Sequence, residues 1–158
     1  MAQFLIQIPT RWPPWQALQY LADLRNLKRW DPSVTRAELL GGEPGQLSSH
    51  FEVVVATGAR PLTLHYRTTE ASETAVRVVA QTLWLRSDDL MWVEPDSQGG
   101  CIVHYDAKLE LPRQLRRLDP LLGWGFHRVA KRAATGLRKA LQGQPPATPQ
   151  PTSPAGRS

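Results

Sequence analysis

The stretch from Pro112 to Leu141 constrains the fold more than any other part of this chain. Leu115, Leu118, Leu122, Phe126, Val129, Ala133, Leu137 and Leu141 recur every three or four residues. That spacing gathers side chains on one face of an α-helix. Arg113, Arg116, Arg117, Arg128, Lys131, Arg132, Arg138 and Lys139 occupy the remaining face. A long helix with one apolar face needs a surface to cover. Asp119-Pro120 interrupts the pattern, so the helix is expected to start twice. A short piece would cover Arg113–Leu118, and Asp119 would cap a longer piece from Pro120. A single kinked helix is the alternative.

The preceding residues supply the surface. Phe4, Ile6 and Ile8 alternate with Gln3 and Gln7, as in a half-buried strand. Thr10 then reads as a helix N-cap ahead of Pro13 and Pro14, which a first helical turn tolerates. Trp15, Leu18, Leu21 and Ala22 follow at helical spacing. A second short helical piece is expected through Leu24 to Leu27, ending before Pro32.

From Val34 the period changes to two. Strands are expected over Val34–Leu40, around Phe51, Val53 and Val55, and around Leu62, Leu64 and Tyr66. Three more are expected from Val76 through Trp84, around Leu90 and Trp92, and from Cys101 to Leu111. Turns rich in Gly, Pro, Asp and Ser separate them. Such a series makes an antiparallel meander with one wet face and one face that needs cover. The class is α+β, with one folded domain over residues 1–142. Residues 143–158, with five prolines among Ala, Thr, Gln and Ser, have nothing to bury and are expected to be disordered.

Composition narrows the functional classes. No run of about 18 apolar residues exists, and Met1-Ala2-Gln3-Phe4 does not open a signal peptide. Cys101 is the only cysteine, which excludes an intrachain disulfide and suits a reducing, cytoplasmic compartment. The net charge is +5, yet the final helix alone holds eight basic residues against Asp119. Arg128, Lys131 and Arg132 form a patch that suits an anionic membrane surface. A solvated helix face that aids solubility has the same pattern. No nucleic-acid motif accompanies it, so no nucleic-acid partner is expected.

Local sequences add a resemblance. Trp15-Gln16-Ala17-Leu18-Gln19-Tyr20-Leu21-Ala22-Asp23 and Leu27-Lys28-Arg29-Trp30-Asp31-Pro32-Ser33-Val34 look like a helix and a loop of the START-like superfamily. Gly45 and the hairpin Gly99-Gly100-Cys101-Ile102-Val103-His104-Tyr105 are similar to further motifs, with Cys101 in place of the usual Thr. The chain thus resembles the SRPBCC, or Bet v 1-like, proteins over about residues 3–141, nearest to their polyketide cyclase/dehydrase and lipid-transport group. The resemblance implies a helix-grip fold. A curved antiparallel sheet of about seven strands wraps a long C-terminal helix, with two short helices after the first strand.

That architecture implies a cavity between sheet and helix. The apolar strand faces offer Trp30, Phe51, Val53, Leu64, Tyr66, Val78, Trp84, Trp92 and Tyr105 for its wall. The helix offers Leu122, Phe126 and Val129. Such a lining suits a hydrophobic small molecule such as a lipid, isoprenoid or polyketide. Core packing alone asks for the same residues. Tyr66 and Tyr105 are expected to orient a ligand oxygen, or to bond within the protein.

Catalytic chemistry is thinly represented. His65 and His104 fall on the wet register, His127 lies off the apolar stripe, and His50 is opposite in phase to Phe51. There is no His/Glu or Cys cluster at metal-ligand spacing, and no phosphate-binding or nucleophile motif. No metal, cofactor or catalytic residue is therefore expected. Asp88-Asp89 is the only adjacent acid pair; an acid–base role near a cavity mouth is one reading, and a polar turn or strand edge is the expected one. The expected function is a carrier or sequestering protein, a monomer or weak homodimer. The alternatives are a cyclase or dehydratase using the pocket tyrosines, and a quinone or lipid chaperone that docks on anionic membrane through the basic helix face.

Overall fold

The computed structural model describes residues 1–58 and 60–147. Strand β1 (Ala2–Thr10) leads into helix α1 (Pro14–Ala22), a 3₁₀ turn at Leu24–Asn26 and the short helix α2 (Leu27–Trp30). Six strands follow: β2 (Val34–Gly41), β3 (His50–Val55), β4 (Leu62–Ala71), β5 (Ala75–Gln81), β6 (Arg86–Pro95) and β7 (Cys101–Glu110). A 3₁₀ helix at Arg113–Leu118 precedes α3 (Asp119–Gln142). All seven strands form one antiparallel sheet in the order β1-β7-β6-β5-β4-β3-β2. The strands grip α3, as the resemblance implies.

Three local expectations change. Thr10 does not cap α1. Its hydroxyl donates to the Leu141 carbonyl at 2.7 Å and accepts from the Trp12 amide at 3.2 Å. The Trp12 indole donates to the Gly143 carbonyl at 2.7 Å. The end of β1 thus caps the other end of the chain, taking two of the carbonyls that a helix C-terminus leaves unpaired. Asp119 is the first residue of α3 rather than its cap. Its carboxylate meets the Met1 amino group at 3.1 Å. The strand expected to run through Trp84 ends at Gln81. There Thr82 closes a tight hairpin with Leu85, N–H to carbonyl at 2.8 Å, and its hydroxyl accepts from the Leu85 amide at 3.0 Å. Of the expected tail, the Gly143 and Pro146 carbonyls accept bonds from Trp12 and Gln16, and residues 148–158 lie outside the described residues.

The core follows the period-two reading on β3, β4, β5 and β7. Phe51, Val53, Leu64, Val76, Val78, Val103 and Tyr105 all point inward and are buried. Only the C-terminal half of α3 is buried as well, through Ala134, Leu137 and Leu141. Leu137 and Leu141 each contribute roughly 1.5–3 kcal/mol by leaving water. Leu121 and Val129, nearer its start, are 69% and 38% exposed. The helix is therefore anchored at one end and lies loosely at the other.

Gly136 makes the anchor possible. A Cβ at this position would stand 1.9 Å from the Trp30 carbonyl oxygen, so no side chain fits between α3 and α2. Alanine usually gains about 1 kcal/mol over glycine inside a helix. Here Gly136→Ala should reverse that sign and cost about 1–3 kcal/mol by overpacking against backbone. Urea unfolding measures the difference, and an unchanged or higher midpoint would contradict the packing.

Candidate functional site

Because α3 is anchored at its C-terminal half, its N-terminal half bridges the open side of the curved sheet. A cavity of about 180 Å³ lies beneath it. Phe4 and Ile6 of β1, Leu64 of β4, Ala107 of β7, and Phe126 and Ala133 of α3 make most of the wall apolar. Val129 lines the cavity and is partly exposed, so the wall reaches solvent there.

Six of the twelve expected wall residues line this cavity: Trp30, Leu64, Tyr66, Tyr105, Phe126 and Val129. Trp30 and Tyr105 meet edge to face, with ring centroids 5.8 Å apart. Phe51, Val53 and Val78 are fully buried core residues away from it. Leu122 is half-buried, one turn before Phe126, and does not reach it. Trp84 sits in the Thr82–Leu85 turn and is 66% exposed. Trp92 lies on the outer face of β6, stacked on His104 with centroids 4.6 Å apart.

The Trp92 position reveals a register inverted from the one expected. Inward residues of β6 are Ser87, Asp89, Met91 and Val93, while Asp88, Leu90 and Trp92 point the other way. Both faces of β6 carry apolar residues, so periodicity alone does not choose between them. Cross-strand pairing does. Val78 sits opposite Asp89, and Met91 opposite Tyr105. Since Val78 and Tyr105 read as inward, the correct length for the Thr82–Leu85 turn would have placed Asp89 beside them.

Asp89 is a polar wall residue absent from the expected lining; the Asp88-Asp89 pair is expected from sequence in a polar turn or strand edge, with a place near a cavity mouth as the alternative. Asp88 points outward and pairs with Arg77 at 2.8 Å. Asp89 points into the cavity wall and is buried. Tyr105 donates its hydroxyl to Asp89 Oδ2 at 2.8 Å. Tyr66 donates to Ser87 Oγ at 2.8 Å, and Ser87 donates on to Asp89 Oδ1 at 3.4 Å. A second acid, Asp31 at the end of α2, lines the same cavity. Its Oδ1 accepts from the Ser33 hydroxyl at 2.6 Å and the Ser33 amide at 2.9 Å.

Burial dominates the electrostatics of this wall. Desolvation pushes the Asp89 carboxyl up to about 7, against the opposing bonds from Tyr105 and Ser87. Desolvation likewise raises Asp31, opposed by Ser33. The Tyr66 and Tyr105 phenols are raised by burial and by the nearby Asp89. An acid poised near neutrality, beside two neutral phenols, can accept or release a proton at physiological pH.

Among the described residues, no histidine lines this wall. His65 reaches Glu52 at 3.2 Å, and His127 packs on Phe4 with centroids 5.3 Å apart. His104 is on the expected outer face, yet it is buried under Trp92. No group of His, Cys, Asp and Glu able to hold a metal occurs among the described residues. On α3, Arg128, Lys131 and Arg132 are exposed. Arg128 lies over the ring of Trp124 at 6.0 Å. No helix among the described residues is long and apolar enough to cross a membrane.

Known proteins share the architecture. Residues 1–143 match the family described as polyketide cyclase / dehydrase and lipid transport. No curated protein is similar in sequence. Among solved structures, TTHA0849 from Thermus thermophilus superposes with a TM-score of 0.69 at 17% identity, covering 89% of this chain and 95% of that one. A START superfamily protein from Mycobacterium smegmatis also gives 0.69, at 10% identity over 89% and 97% of the two chains. CV1439 from Chromobacterium violaceum gives 0.59 at 12% identity over 90% and 98%. At these identities the likeness is one of fold.

The position of Asp89 makes stability depend on pH. The native state keeps a proton on this carboxyl up to about 7. The unfolded chain releases it near the ordinary aspartate value, around 4. Between those values the native state binds more protons, so this carboxyl lowers stability as pH rises. Asp89→Asn removes the group from titration. The variant should therefore gain on the wild type from about pH 4 to 7, by on the order of 3–4 kcal/mol. Urea unfolding across that range checks it, and parallel profiles would count against a buried, titrating Asp89.

Proposed function

The chain belongs to the polyketide cyclase / dehydrase and lipid transport family, and from that premise we propose that it binds a hydrophobic small molecule in the cavity under α3, as a carrier or sequestering protein. The observation behind this reading is a mostly apolar cavity inside the core, where a protein of this size would ordinarily pack tightly. Its volume is below the roughly 300–1,000 Å³ of drug-sized pockets. It is close to the about 150 Å³ in which an apolar cavity holds benzene. The occupant is therefore about one ring in size, or one end of a longer isoprenoid, lipid or polyketide. Native mass spectrometry of freshly purified protein tests the reading. An added mass should be present in the wild type and absent from Ala133→Leu, which fills the cavity while keeping the fold. Wild type that takes up no apolar compound would remove the reading.

A catalytic reading, of the cyclase or dehydratase kind, is favoured by Asp89 with Tyr105 at its carboxylate. General acid–base work needs a titratable group placed at the ligand. Given a substrate, an Asp89→Asn protein that keeps its ligand and loses turnover distinguishes catalysis from carriage.

Membrane docking is favoured by the exposed face of α3. Leu121 and Trp124 are 69% and 67% exposed, and Arg128 and Lys131 stand beside Trp124 on the helix surface. Aromatic and apolar side chains among basic ones suit the interface of an anionic bilayer. Each basic residue near such a surface adds about 1 kcal/mol. Charge reversal at Arg128, Lys131 and Arg132 together should therefore abolish flotation with vesicles containing phosphatidylserine. Equal flotation with neutral vesicles would rule out this docking mode.

A further inference from the structure

The polar part of the cavity wall has an asymmetry of hydrogen-bonding character. Four hydroxyls line it, and each gives its hydrogen to a neighbour in the wall. Tyr66 donates to Ser87, Ser87 and Tyr105 to Asp89, and Ser33 to Asp31. The chain of donors therefore ends on two carboxyl groups. An ionised carboxylate has about four acceptor sites and no hydrogen to give. Asp89 takes two bonds, one of them long at 3.4 Å. Asp31 takes both of its bonds at Oδ1. The remaining side-chain donor on the wall is the Trp30 indole.

Charge points the same way. Among the lining residues there is no Lys, Arg or His to balance Asp31 and Asp89. Arg77, the nearest partner of this strand, is spent on Asp88 and Glu70 across the outer face. Buried acids normally sit beside a cation or a metal. Here the carboxyls stand beside an apolar space with aromatic walls from Trp30, Tyr105, Phe4 and Phe126. Aromatic faces attract cations in a dehydrated site.

We infer that the cavity is built for a protonated amine on an apolar body of about one ring, its ammonium donating to Asp89 and Asp31. The inference rests on the cavity being a ligand site and goes on to name the ligand's polar group. With Asp89 ionised, a carbonyl is the poorer anchor, because the four hydroxyls already donate within the wall and only the Trp30 indole is left to donate to it. The phenols are positioning residues that hold Asp89 in place.

Four compounds of similar size separate the possibilities: benzylamine, benzyl alcohol, benzaldehyde and toluene. Calorimetric titration near pH 8 keeps the amine charged and Asp89 ionised. A charge-assisted bond to a carboxylate should make benzylamine bind at least about tenfold tighter than benzaldehyde or toluene. Asp89→Asn should erase most of that preference, and Asp31→Asn part of it. Toluene binding that survives in both variants shows that the cavity is still folded. Benzaldehyde or toluene binding as tightly as benzylamine would overturn the amine inference and leave the cavity reading standing. A preference for benzylamine that survives both substitutions would overturn it too. Failure of all four compounds to bind the wild type would overturn both.

Discussion

The approach of α3 to the backbone of α2 at Gly136 is the contact on which the rest depends. It lets the helix sit directly on the Trp30 carbonyl, where any larger residue would hold it away. Thr10 and Trp12 then tie the last helical carbonyls to the end of β1. Two short-range constraints at one end thus determine where the other end goes. The N-terminal half of α3 spans the concave sheet without collapsing onto it, and the unfilled volume is the cavity. The same arrangement brings Trp30 and Asp31 to its wall, because α2 ends where the helix crosses it.

Within that wall, two opposing effects set the chemistry. Burial disfavours a charge on Asp89, while hydrogen bonds from Tyr105 and Ser87 favour it. Burial wins, but the hydroxyls limit its margin, and the carboxyl is left near neutrality rather than locked in one form. A drier wall without these donors would hold the acid permanently neutral. A wetter one would hold it permanently charged. The apolar majority of the lining and the small hydroxyl network are thus parts of one device.

Much of this was legible in the residues themselves. The stripe from Leu115 to Leu141, the period-two runs from Val34 onward and the motifs around Trp15 and Trp30 together define the helix-grip architecture. Leu64, Tyr66 and Tyr105 were legible as inward from their strand registers, but so were Phe51, Val53 and Val78, and register alone does not separate cavity wall from packed core. What failed had a common cause. On β6 both faces bear large apolar groups, so Leu90 and Trp92 outweighed Met91 and Val93 in any reading by hydrophobicity. The deciding information was the pairing with β5 and β7, a long-range property fixed by a turn. Thr10 failed similarly, since its partner, the Leu141 carbonyl, lies at the far end of the chain.

The turn at Thr82–Leu85 has a consequence beyond hairpin closure. Its four residues set which of two adjacent acids faces the cavity. Hairpin loops ordinarily absorb insertions and deletions at little cost. Here, losing or gaining one residue would slide β6 by a single position and turn it over. The inner surface would exchange Ser87, Asp89 and Met91 for Asp88, Leu90 and Trp92. Tyr105 would no longer face Asp89, and the Trp92 indole would enter the packed core in place of Met91 or Val93. Loop length in this protein is thus a chemical variable: a change in a turn whose Leu85 already lines the cavity decides which acid stands on the wall.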